Sequence, residues 1–170
     1  MAAGRLILLC GLPGSGKTTL ARRLAAELDA VRFGPDEWLT ELGVDLFDEP
    51  ARDRLERQLW RLTQDLLRRG LTVILDYGLW GRSERDEKRL VARELGATVE
   101  LHYLNVSFEE TVRRVEKRNQ SGDPFTVPLS RALLESYLPY FQAPTEVELA
   151  LYDNAPSQRS GAREPGAAGR

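Results

Sequence analysis

Cysteine, histidine and methionine occur once each in the 170 residues, and lysine only at 17, 88 and 117. A lone cysteine excludes an intrachain disulfide framework and points to a reducing compartment. Within its apolar run Cys10 reads as a small buried hydrophobe. The lone histidine, His102, lies mid-strand between Leu101 and Tyr103 with no nearby cysteine. That supports neither a zinc centre nor a catalytic histidine, and His102 is read as structural. No G-x-S-x-G element is present for hydrolytic chemistry. The apolar run at 6–10 is too short for a signal-peptide core or a membrane span, so a cytoplasmic protein is expected. The formal net charge is −2, and the tail 154–170 holds three arginines against one glutamate, which leaves residues 1–153 more acidic still. A nucleic-acid footprint is therefore not expected.

What is present suits one domain: 42% hydrophobic residues over 170 positions bury a real core but leave no room for a second full domain. Leu6-Ile7-Leu8-Leu9-Cys10 is a continuous apolar run bounded by glycines, the pattern of a parallel strand covered on both faces. From Gly16 the period becomes helical, with Leu20, Leu24 and Leu28 on one face. Val31-Arg32-Phe33 reads as a short strand ended by Gly34-Pro35, after which Asp36 is placed to cap a helical turn. Residues 51–69 form an amphipathic helix with Leu55, Leu59, Leu62 and Leu66 inward, closed by Gly70. Residues 72–75 make a strand ending on Asp76. Ser83 with Asp86 resembles an N-cap, 98–104 is a further strand, and Ser107 opens a capping box for a helix with Phe108, Val112 and Val115 inward. Residues 130–141 are helical, and 147–152 are a last short strand or a turn. The expected fold is α/β, a three-layer sandwich with a parallel sheet of four or five strands and helices on both faces. The domain spans 1–153 with a short lid near 119–128, and the tail 154–170 is expected to be disordered.

The chemistry is concentrated in Gly11-Leu12-Pro13-Gly14-Ser15-Gly16-Lys17-Thr18, a match to G-x-x-x-x-G-K-[ST] that arises by chance in about 1% of chains this long. It sits between a predicted strand and a predicted helix, as this Walker A motif (the P-loop) requires. Gly14 and Gly16 let the backbone approach a polyphosphate, and Pro13, Ser15 and Gly11 belong to the same wrap. Lys17 supplies a cation between β- and γ-phosphates, Thr18 a hydroxyl ligand to Mg²⁺, and Thr19 reaches the α-phosphate. ATP and Mg²⁺ are thus the expected cofactors. The guanine-reading Asn-Lys-x-Asp is missing, and the chain is short for an oligomeric ATPase with its helical subdomain.

Across about residues 5–142 the chain resembles the small P-loop kinases related to chloramphenicol phosphotransferase, zeta toxins, gluconate kinase and the kinase domain of polynucleotide kinase. The resemblance implies that Asp36, in Gly34-Pro35-Asp36, is the general base for an acceptor hydroxyl; the alternative is a helix cap. It also implies that Asp76 holds a water of the Mg²⁺ shell or meets the substrate. Arg114 and Arg118 match the family's R-x-x-x-R on the helix entering the lid. There they screen the transferring phosphoryl group, with Arg118 also able to stack on adenine, or else they belong to a solvated face. Trp38, Trp80 and Arg82 are the candidates for an acceptor pocket, with core or surface packing as the alternative for Trp80. The expected function is transfer of the γ-phosphate of Mg·ATP to a hydroxyl of a small molecule, nucleoside or nucleotide. Two alternatives stand beside it: a regulatory nucleotide-binding module with little turnover, and a nucleic-acid 5′-hydroxyl kinase.

Overall fold

The computed structural model describes residues 3–122 and 127–154. Among these, four strands form one sheet in the order β2-β3-β1-β4: β1 Arg5–Cys10, β2 Val31–Phe33, β3 Thr72–Leu75 and β4 Thr98–Tyr103. All pairings are parallel, with Arg5 opposite both Thr72 and Thr98. The apolar run of β1 lies at the centre, and Leu6, Ile7, Leu8, Leu9 and Cys10 are fully buried. A strand's side chains alternate between faces, so Leu6, Leu8 and Cys10 join Val73, Leu75, Val99 and Leu101 on one side while Ile7 and Leu9 join Ile74 on the other.

Helices cover both faces. Leu20, Ala21, Leu24 and Leu28 of α1 (Lys17–Leu28) close the Ile7 face. The opposite face receives Leu59, Trp60 and Leu67 of α3 (Glu49–Arg68) and Ala92 of α4 (Arg82–Glu94). The α3 stripe differs from the four-leucine face read in the sequence: Trp60, Thr63 and Leu67 are buried, whereas Leu62 is exposed. Leu55, Leu59 and Leu66 still pack on the core, so only Leu62 departs from the stripe. A third cluster ties Val112 and Val115 of α5 (Phe108–Asn119) to Leu129 and to Leu134 of α6 (Arg131–Tyr137).

Several local expectations are corrected. The N-cap of α2 (Pro35–Glu41) is Gly34, and Asp36 sits one residue inside the helix, as Pro35 at the first position dictates. The N-cap of α4 is Gly81, not Ser83; the amide of Arg82 is satisfied from afar by Gln142 Oε1 at 2.7 Å. Residues 147–152 contain no strand: a short helix, α7 (Glu146–Leu149), is capped by Thr145 and runs into a turn at 150–151. The helix read over 130–141 is α6, capped by Ser130, followed by a 3₁₀ turn at Leu138–Tyr140. Asn154, placed at the head of the tail, is buried and exchanges hydrogen bonds with the backbone of Leu101. The rest of the tail, and residues 123–126 of the lid, lie outside the described residues.

One buried ion pair positions the loop after β3. Arg85 of α4 is fully buried and grips Glu148 of α7 with Nε to Oε1 at 2.6 Å and Nη2 to Oε2 at 2.9 Å. Its Nη1 donates to the carbonyls of Leu79 and Trp80 at 2.8 and 3.1 Å, and its Nη2 to that of Gln142. Leu79 has φ 47°, a left-handed conformation rare for leucine, so the guanidinium holds a strained turn in place. Arg85→Met should cost about 3–5 kcal/mol, because Glu148 would stay buried without its partner. Urea unfolding measures this, and Arg85→Met with Glu148→Leu should recover part of the loss. A single variant within about 0.5 kcal/mol of the parent would show that the pair holds nothing.

Candidate active site

The carboxyl ends of the four strands open onto one cleft of about 1090 Å³, enough for a nucleotide and a second small ligand. Its floor is the loop between β1 and α1. Gly14 and Gly16 have φ of 82° and 98°, and a β-carbon on Gly14 would come within 2.6 Å of Val115 Cγ2, so glycine is required there twice over. The loop curls around Lys17, whose Nζ donates to the carbonyls of Gly11 and Leu12 at 2.9 and 2.8 Å. Burial lowers the lysine to about 8, opposed chiefly by the Asp76 carboxylate and also by Asp36. Pro13, Ser15, Thr18 and Thr19 line the same wall, with Thr18 and Thr19 exposed at the start of α1, where its amides face the cleft.

Asp76 follows β3 and is almost wholly buried. Burial raises its carboxyl, while Thr18, Arg32 and Lys17 oppose that rise. Arg32 Nη1 donates to Asp76 Oδ2 at 2.8 Å and Nη2 to Glu37. Arg32 was missed in the sequence, although a charge inside a short buried strand demands a partner and was the available signal. A hydroxyl beside a carboxylate is a hard oxygen set that fits Mg²⁺. Among the described residues there is no cluster of three or more acidic, histidine or cysteine ligands. The donors therefore suit an ion that arrives with phosphates, held by Thr18 and through water by Asp76. When bound, it would neutralise phosphate charge.

Asp36 stands across from the loop, exposed, with its carboxylate on Arg52 of α3. Arg52 also reaches Glu56 at 3.5 Å. Tyr77, Trp80, Glu84 and Tyr137 line the same cleft. Trp80 donates to the carbonyl of Gly11 at 3.3 Å and packs on Tyr137 with ring centroids 5.0 Å apart, so it joins the phosphate loop to α6. Arg52, Glu56, Glu84 and Tyr137 were not singled out from the sequence. Arg52 and Glu56 lie one turn apart on a helix that otherwise reads as an ordinary charged face.

On the lid side, Arg114 and Arg118 both line the cleft. Arg114 Nε pairs with Glu110 at 2.8 Å while Nη1 reaches the carbonyl of Ser15 at 3.4 Å, and the Arg118 charge acts on Lys17. Two acceptor candidates are not brought in. Trp38 is 43% exposed and stacks edge-on against Phe33 outside the main cleft. Arg82 is turned to Asp86 and Glu148. His102 contacts Glu100 on β4, away from the cleft.

A parallel sheet with this loop at its central strand is the P-loop NTPase fold. The chain belongs to the AAA domain family, whose model matches residues 6–144, and its build is that of the small P-loop kinases. A probable adenylyl-sulfate kinase of Aeropyrum pernix is 31% identical over 121 residues, which is 67% of this chain and 66% of that protein, so the chain spans just under two thirds of this relative. Among solved structures, Chaetomium thermophilum Kti12 in complex with ADP-AlF3 is similar at TM-score 0.67 with 20% identity, over 91% of this chain and 93% of that one. A gluconokinase from Sinorhizobium meliloti is similar at TM-score 0.58 with 19% identity, over 85% and 78%. No helix among the described residues is long and apolar enough to cross a membrane.

Proposed function

We propose that this chain transfers the γ-phosphate of Mg·ATP to a hydroxyl of a small acceptor. The observation that carries this reading is Asp36, a carboxylate across the same cleft from the phosphate loop and near enough to act on the charge of Lys17. In the reaction the acceptor oxygen bonds to the γ-phosphorus and the bond from that phosphorus to the β–γ bridging oxygen breaks. ADP leaves, and the hydroxyl proton passes to Asp36. Lys17, the loop amides and the two lid arginines spread the charge of the phosphoryl group, and Thr18 with Asp76 would hold Mg²⁺. The kinases among its relatives support transfer but name different acceptors, adenylyl sulfate and gluconate.

The test is ADP release from Mg·ATP in the presence of a panel of alcohols, with Lys17→Ala beside the parent. Lys17→Ala should bind Mg·ATP more weakly and lose transfer while keeping its circular dichroism spectrum; unchanged turnover would sink the reading. A second reading is a nucleotide-binding regulatory module; Kti12, of like fold, was solved with ADP-AlF3, which fits nucleotide binding. Nucleotide binding without transfer to any alcohol would support it.

A further inference from the structure

Charges of both signs line the cleft. Lys17, Arg114 and Arg118 belong to the phosphate loop and the lid helix, and Arg32 is paired with Asp76 and Glu37, whereas Asp36, Glu49, Glu56 and Glu84 line the cleft together with Arg52. That arginine is already engaged by Asp36 and Glu56. The Glu84 carboxylate makes no hydrogen bond or ion pair of 4.0 Å or less with any described residue; Lys88 and Arg85 act on it only through space, and it lines the cleft. Neither Lys88 nor Arg85 lines the cleft, and Arg85 is held by Glu148. The Lys88 Nζ lies over the Trp60 ring, 4.7 Å from the centroid, and 3.7 Å from Glu87.

A second, independent observation is the Tyr77 hydroxyl. The residue is 5% exposed, lines the cleft, and its hydroxyl oxygen has no hydrogen-bond partner. An orphaned buried hydroxyl is costly unless a ligand completes it. It stands within electrostatic reach of both Glu56 and Glu84. Carboxylates flanking an unpartnered phenol form a set of acceptors that suits a three-donor ammonium.

We propose that the acceptor is an alcohol that also carries a protonated amine, with its hydroxyl toward Asp36 and its ammonium taken by Glu84, Glu56 and the Tyr77 hydroxyl. This rests on the phosphate-transfer reading. Burial raises the carboxyls of both glutamates, and an arriving cation stabilises their ionised form. An anionic acceptor meets the opposite: its charge would face Glu84 and Glu49, while Arg52 is already paired with Asp36 and Glu56.

Matched triads test this: ethanolamine, ethylene glycol and glycolate; serinol, glycerol and glycerate; glucosamine, glucose and glucuronate. Each is assayed with Mg·ATP by ADP release. The amine of a triad should exceed its neutral and acidic partners by about tenfold or more in kcat/KM, the size of one charged hydrogen bond. Glu84→Gln should raise KM for the amine by about tenfold and erase the preference. Tyr77→Phe should raise the same KM while its unfolding midpoint stays level or rises, since an unsatisfied hydroxyl has been removed. Preference for a neutral or acidic member, or an unmoved KM in Glu84→Gln, overturns the amine assignment and leaves phosphate transfer standing. Transfer to no alcohol by a protein that binds Mg·ATP sinks both.

Discussion

Asp36→Asn is expected to bind Mg·ATP as the parent does and to phosphorylate its acceptor about 10²–10⁴ times more slowly, the range that a positioned general base contributes. Stability should hardly change. Asp36 is inside the first turn of α2 rather than at its cap, so losing the charge forfeits only a dipole interaction of about 0.3–1 kcal/mol. Its ion pair with Arg52 is half exposed on the aspartate side and contributes about 0–1 kcal/mol. Arg52 keeps Glu56 and the carbonyl of Leu46 as partners. Asp36→Ser is the second arm, small and polar but no carboxylate base. Both variants should fold, bind nucleotide and fail in transfer. Near-native transfer by either would make Asp36 an anchor for Arg52 and nothing more.

The two halves of this site were unequally legible. The phosphate loop is written in eight contiguous residues, because a turn that wraps a polyphosphate needs glycines at fixed offsets and its lysine nearby. Asp76 was legible too, since it follows an apolar strand and therefore falls at the sheet's carboxyl edge. The acceptor end is assembled from residues far apart in sequence. Arg52 and Glu56 come from α3, Tyr77 from the loop after β3, Glu84 from α4 and Tyr137 from α6. Nothing local marks Glu84 as different from Glu87, three residues on. Only the packing of α4 on the sheet turns one to the cleft and leaves the other exposed. Trp38 and Arg82 show the same effect in reverse: near strand ends in sequence, they sit on helices that start beside those ends and do not line the cleft.

Some misreadings had signals that went unused. Thr145-Glu146-Val147-Glu148 has the spacing of a capping box, and Thr145 Oγ1 does accept from the Glu148 amide at 3.2 Å. Pro35 marks a first helical position and so assigns the cap to Gly34. By contrast, the shift of the α4 start from Ser83 to Gly81 depends on Gln142, sixty positions away, and had no local signal. The strained Leu79 turn is equally non-local, since Arg85 and Glu148 are brought together only by the finished fold.

Arg114→Ala and Arg118→Ala are expected to lower kcat on the order of 10³-fold where the arginine stabilises the transferring phosphoryl group, with a much smaller change in nucleotide affinity. The geometry sets the two apart. Arg114 is nearly half exposed and tied to Glu110, so it must exchange that partner for phosphate oxygens as charge develops. Its reach to the Ser15 carbonyl already puts the guanidinium at the rim of the loop. Arg118 is one turn further along α5 and acts on Lys17, so it adds positive charge beside a lysine that burial has already weakened. A polyphosphate relieves that repulsion. Some loss of ground-state affinity is therefore expected for Arg118→Ala and less for Arg114→Ala. Replacing either by lysine keeps the charge but loses the planar fork, and should restore only part of kcat. Steady-state kinetics with saturating acceptor, beside nucleotide titrations, separate these terms. Wild-type kcat in both alanine variants would return the pair to the solvated face of α5.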